Sequence, residues 1–128
     1  MTDKSEKLIE IERLKKESPT STLLVYAYRS YGSELTTSRQ YENAKKIYNK
    51  GIKLMQKIDK KSFILARLYY KYANCCFELK DYTTARTFYK KAVFLLEEVE
   101  PQDTFLEHYY SKYIKCLKIT NRPKKAKT

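Results

Sequence analysis

Trp is absent, Gly occurs twice, Pro three times and His once in 128 residues. Two glycines cannot build a phosphate-cradling loop, and so little Gly and Pro leaves no stretch that reads as a flexible linker. The lone histidine, His108, has no paired carboxylates near it on one helix face, so no enzyme activity is expected. No apolar run approaches the roughly 18 residues that a membrane span needs. The opening stretch MTDKSEKLIEIERLKK is charged throughout and lacks the apolar core of a secretory signal, which predicts an intracellular, cytoplasmic protein. Cysteine is sparse and odd in number: Cys75, Cys76 and Cys116. Adjacent cysteines on a helix point about 100° apart, and none has metal-type spacing to a histidine. They are expected to be small buried hydrophobes in a reducing compartment, with no metal and no cofactor.

Charge is abundant and one-sided. Lys and Arg number 27 against 15 Asp and Glu, a formal net charge of +12. The excess lies toward both ends, in residues 1–60 and again in 101–128. Such a balance favours acidic partners, whether protein, nucleic acid or anionic surface, without choosing among them.

The organising feature is a repeat. Residues 69–92, YYKYANCCFELKDYTTARTFYKKA, hold two apolar runs of helical period joined by Lys80 and Asp81. The pattern recurs 41 residues earlier: Tyr28, Tyr31, Gly32, Tyr41, Ala44 and Tyr48 fall under Tyr69, Tyr72, Ala73, Tyr82, Ala85 and Tyr89. Small residues pair at Gly32 and Ala73, at Ala44 and Ala85, and at Gly51 and Ala92. The first two sites are expected where the helices of a hairpin cross, and the third where the second helix meets the next repeat.

At these residues the chain resembles the tetratricopeptide repeat family, over about residues 20–120. The 41-residue period and the aromatic-rich string are similar to its long-helix versions, as in kinesin light chain and the peptide-sensing regulators of Gram-positive bacteria. The resemblance implies an all-α helix-hairpin solenoid in a single domain, residues 1–120. Its expected parts are a cap helix at 5–17, repeat 1 at 21–58, repeat 2 at 61–99, an incomplete repeat 3 at 102–119, and a basic tail at 120–128. Pro19 stands two repeat lengths before Pro101, so the cap helix occupies the place of a second helix whose first is missing. Ser18 or Thr20 is expected to cap the next helix, and Gln102 or Asp103 the last. Lys45, Lys46, Lys50, Lys53 and Lys57 crowd the expected outer face of the third helix. Pro123 falls where an aromatic would open a further helix, and Ile114 stands where earlier repeats carry Gly32 and Ala73. The last helix therefore lacks its hairpin partner, and Tyr109, Tyr113 and Leu117 are expected to expose an apolar patch open to self-association or a larger assembly.

The resemblance also implies a concave groove lined by the first helix of each hairpin. Carried over by register, its partner-binding residues are Tyr26, Arg29 and Ser33, then Arg67, Tyr70, Lys71, Asn74 and Phe77, then His108, Lys112 and Lys115. Arg29, Lys71, His108 and Lys112 occupy places where chaperone-binding relatives hold a partner's terminal carboxylates, although Ser33 and Lys71 replace the clamp asparagines. Asn74 matches asparagines that bond a peptide backbone in pheromone-sensing relatives. The expected function is a non-enzymatic adaptor or sensor that binds an acidic or carboxylate-bearing protein segment. The alternative is a nucleic-acid-associated basic protein. Against it, the 13 Tyr and 5 Phe fall mostly at repeat core positions, which leaves few for base stacking.

Overall fold

A computed structural model describes residues 5–121. Six helices follow one another: α1 (Glu6–Glu17), α2 (Thr22–Thr37), α3 (Tyr41–Ile58), α4 (Phe63–Glu78), α5 (Tyr82–Val99) and α6 (Leu106–Thr120). No strand occurs among the described residues. The main contacts join consecutive helices, α1 to α2 and so on to α6. This is an all-α hairpin solenoid, with α2–α3 and α4–α5 as its full hairpins.

Local chemistry sets the helix starts at matching places in each repeat. The Ser21 hydroxyl accepts from the Leu24 N–H at 3.2 Å and the Ser62 hydroxyl from the Ile64 N–H at 3.0 Å, satisfying amides that a first turn leaves unpaired. Ser21, not Ser18 or Thr20, is therefore the cap of α2. The third equivalent, Asp103, behaves differently. Its carboxylate accepts from the Phe105 N–H at 2.7 Å, and its carbonyl accepts from the Leu106 N–H at 3.1 Å. These bonds hold residues 101–105 in turns, so α6 opens at Leu106 rather than near Gln102.

The breaks inside the two hairpins share a different device. Arg39 and Lys80 adopt the left-handed conformation, with φ of 61° and 65°. In each, the next N–H reaches back six residues' span into the helix, Gln40 to Leu35 at 2.8 Å and Asp81 to Cys76 at 2.9 Å. That is a Schellman closure, built on a cation where glycine is usual.

Packing follows the small residues. A Cβ on Gly32 would lie 2.4 Å from Cε1 of Tyr48, so the α2–α3 crossing is set by direct contact of a backbone with a ring. Gly51 faces the Leu68 side chain of the next repeat and Tyr28 of its own, with 3.5 Å of room to each. Ala44, Ala73, Ala85 and Ala92 are fully buried. On α1, Ile11 and Leu14 are buried against Leu24, Ala27 and Tyr28, as a capping helix requires. All three cysteines are free and buried.

Two expectations need correction. Lys45 does not lie on the open outer face: it is half-buried, its ammonium 5.8 Å from the centre of the Tyr72 ring. Tyr109 is not part of an exposed patch, being only 2% exposed. Its ring stacks on Tyr70 with centroids 4.0 Å apart and planes 6° apart, which places it in the core. Tyr113 and Leu117 are half-buried, and the exposed apolar side chains at this end are Phe105 and Ile114. The expected tail beyond Asn121 lies outside the described residues.

Candidate functional site

The groove residues divide among several environments. Arg29, Ser33, Arg67 and Lys71 line one hollow of about 480 Å³ between α2 and α4, together with Lys7, Ser30 and Glu34. Lys71, Asn74 and Lys112 line a neighbouring hollow of about 310 Å³ with Thr36, Tyr41, Tyr48, Cys75 and Glu78. Lys71 is shared by both and forms the ridge between them. Tyr26 lies apart, in a hollow closed by α1. Tyr70, Phe77, His108 and Lys115 line none of these three.

The electrostatics centre on Lys71. Its pKa is held below the usual lysine value of 10.5, first by burial and then by the nearby charges of Arg29 and Arg67. No acidic group forms an ion pair with any of these three cations among the described residues. Arg29 instead rests over the Tyr26 ring, 5.1 Å from its centre. Arg67 lies between two rings, 4.9 Å from the centre of Phe105 and 6.0 Å from that of Phe63. Rings position a guanidinium without cancelling its charge, so the cluster remains a source of positive potential. The acid that lines the hollow, Glu34, accepts from the Ser5 hydroxyl at 3.1 Å.

Other expected contacts are partly engaged inside the fold. Ser33 and the Tyr48 hydroxyl lie 3.3 Å apart. The Asn74 carboxamide oxygen accepts from the Tyr89 hydroxyl, and burial pushes the neighbouring Tyr70 hydroxyl toward higher pKa. Asn74 thus has less acceptor capacity left for a bound backbone, while its amide N–H groups can still donate. Phe77 sits edge-on to Tyr82 at 5.1 Å, and Lys112 and Lys115 approach its ring to 5.0 and 5.1 Å. His108 is exposed beside Tyr70, with centroids 6.0 Å apart.

Sequence reasoning missed Lys7, which reaches the cationic hollow from the cap helix. Glu34 and Glu78 were missed as well. Both stand on first helices of hairpins, and their helical spacing from Ser30 and Asn74 was the available signal.

Residues 25–57 and 66–93 match the family model described as tetratricopeptide repeat. Both full hairpins are thus similar to tetratricopeptide repeats. Tetratricopeptide hairpins are scaffolds for protein–protein interaction, and this is the class of work the chain's architecture supports. No curated protein matches the chain. Among the described residues, no helix of this repeat protein is long and apolar enough to cross a membrane.

Proposed function

We propose that this protein is a non-enzymatic adaptor or sensor whose repeat groove binds an acidic or carboxylate-bearing segment of a partner protein. The observation that carries the reading is the convergence of Arg29, Arg67 and Lys71 on one hollow with no ion-paired acid among the described residues. Three cations held together at a cost to Lys71 are favourable when an anion completes the cluster, because charged hydrogen bonds in a shielded groove each contribute roughly 1.5 to 3 kcal/mol. Lys112 extends the basic surface into the adjoining hollow, beside the half-buried rings of Tyr70 and Phe77 that lie outside it. The 41-residue spacing supports a likeness to the long-helix repeats of kinesin light chain and the Gram-positive peptide sensors.

The test is titration of the protein with Asp- and Glu-rich peptides carrying a free C-terminal carboxylate. Arg29→Ala combined with Lys71→Ala should weaken binding tenfold or more, and charge reversal at Lys46 and Lys53 should change it little. The reverse pattern would move the site to the outer lysine face. Nuclease-sensitive capture would then favour the nucleic-acid reading.

A further inference from the structure

The first helices of the hairpins each have two apolar sides, one against the preceding repeat and one against their own second helix. In α6 the described residues cover only the first. Tyr109 and Cys116, which correspond to Leu68 and Cys75 of α4, are buried. The other side carries Leu106, Tyr110, Ile114 and Leu117, which correspond to Leu65, Tyr69, Ala73 and Cys76. Those α4 residues are all buried, whereas Leu106, Tyr110 and Leu117 are half-exposed and Ile114 is 45% exposed.

The opposite end of the solenoid does not suit this face. By repeat register, Arg13 and Glu17 of α1 stand where α3 carries Leu54 and Ile58, on the side that Leu54 turns to the first helix of its own hairpin. Arg13 pairs there with Glu10 and Glu17, both at 2.7 Å, so α1 offers ion pairs where α6 needs apolar contact. Head-to-tail stacking is thereby disfavoured. Residues 122–128, RPKKAKT, contain only Pro123 and Ala126 as apolar side chains.

The face is, however, complementary to itself. Leu106 and Leu117, Glu107 and Lys118, and Tyr110 and Ile114 are each placed symmetrically about Lys112, to within half a residue. Glu107 and Lys118 are separated by almost three whole turns, so they share one flank of the apolar stripe. Both are exposed and neither forms an ion pair among the described residues. A two-fold axis perpendicular to an antiparallel helix pair places the flank of one copy against the same flank of the other, running in reverse. It therefore sets Glu107 against Lys118 twice, with Leu106 against Leu117 and Tyr110 against Ile114 between them.

We propose that α6 is a self-association surface, on which a second copy of this chain docks through its own α6 in an antiparallel, two-fold arrangement. A single 15-residue helix covers less than the roughly 1,600 Å² of a standard interface, so the dimer is weak, with a dissociation constant on the order of 100 µM. Its grooves remain open, and bivalent partners bind it with a gain from avidity.

Sedimentation equilibrium of the full chain, from about 10 µM to 1 mM, reads the association. A monomer–dimer equilibrium is expected. Ile114→Asp should abolish it without changing the helical circular dichroism. Glu107→Lys alone and Lys118→Glu alone should each weaken the dimer about tenfold, since two symmetric surface pairs are reversed at once. The double exchange should restore it. A strict monomer at 1 mM, growth beyond the dimer, or a dimer indifferent to the single reversals would overturn the proposal. So would a dimer that appears only after residues 122–128 are removed, which would make that segment the occupant.

Discussion

The Tyr89 hydroxyl donates to the carboxamide oxygen of Asn74, and Tyr48 and Ser33 meet one repeat earlier in the same relation. Each bond joins the second helix of a hairpin to its first, next to the small residue at the crossing. Burial pushes both tyrosine hydroxyls toward higher pKa, so each needs a partner that the first helix provides. Tyr89→Phe should therefore destabilise the protein by roughly 0.5 to 1.5 kcal/mol, the usual net loss for one hydrogen bond. Urea unfolding with an unchanged m-value would check it. The same substitution releases Asn74 toward the groove.

The two glycines should respond oppositely to alanine. At Gly32 the new methyl meets a Tyr48 ring that is almost fully buried and tied to Ser33, so it cannot turn aside. Overpacking of roughly 1 to 3 kcal/mol outweighs a helix-propensity gain of at most about 1 kcal/mol. At Gly51 the methyl finds ordinary contact at 3.5 Å, and the propensity gain prevails. Thermal melts should place Gly32→Ala below the parent and Gly51→Ala above it. Equal shifts would contradict the crossing geometry.

Lys71→Met should separate stability from binding. The folded protein holds the ammonium charge less readily than the unfolded chain, whose lysine keeps its usual value near 10.5. The unfolded chain thus binds the proton more tightly, and the charged lysine opposes folding at neutral pH. Removing the charge while keeping the apolar stem should raise the melting temperature by roughly 1 to 4 °C. Affinity for an acidic peptide should fall in the same variant. A loss of both would mean that Lys71 is a packing residue only.

Alkaline conditions should unfold the chain cooperatively. Burial pushes the Cys75 thiol up to about 12, the Cys76 thiol to about 11 and the Tyr109 hydroxyl to about 12. For groups raised in this way the unfolded chain gives up its protons first, so their stabilisation is intact below the unfolded values near 9 and 10. It is lost as pH climbs through the folded ones. The opposite contribution of Lys71 is a single group against several. Stability measured by urea should decline from about pH 9 upward, and at pH 8 the thiols should resist a water-soluble disulfide reagent until denaturant is added.

The solenoid was legible because its signals are redundant. Tyr48 and Tyr89, Ala44 and Ala85, and Gly51 and Ala92 repeat at one interval, and each occupies the same place in the packing. Local boundaries were less legible where chemistry departs from the usual residue. Arg39 and Lys80 hide left-handed turns because glycine is missing from them, and the Asp103 turn delays α6 by about one helical turn. The groove was legible only as a list of residues. Register gave Arg29, Arg67 and Lys71 their common side, but not that Ser33 and Asn74 are drawn inward by buried tyrosines. Tyr109 falls under Leu68 in the 41-residue register, a core position in α4, but the linear pattern did not show that Tyr70 stacks on it.

That stack has a mechanical consequence. Consecutive helices carry most contacts in this chain, so a pull on its two ends would strip helices from the termini inward. The Tyr70–Tyr109 pair, with Arg67 laid over Phe105, fastens α6 directly to α4 rather than through α5 alone. The carboxyl-terminal end is riveted across a neighbour, whereas α1 is seated mainly on α2. Under load, the molecule should therefore open from its amino-terminal side first.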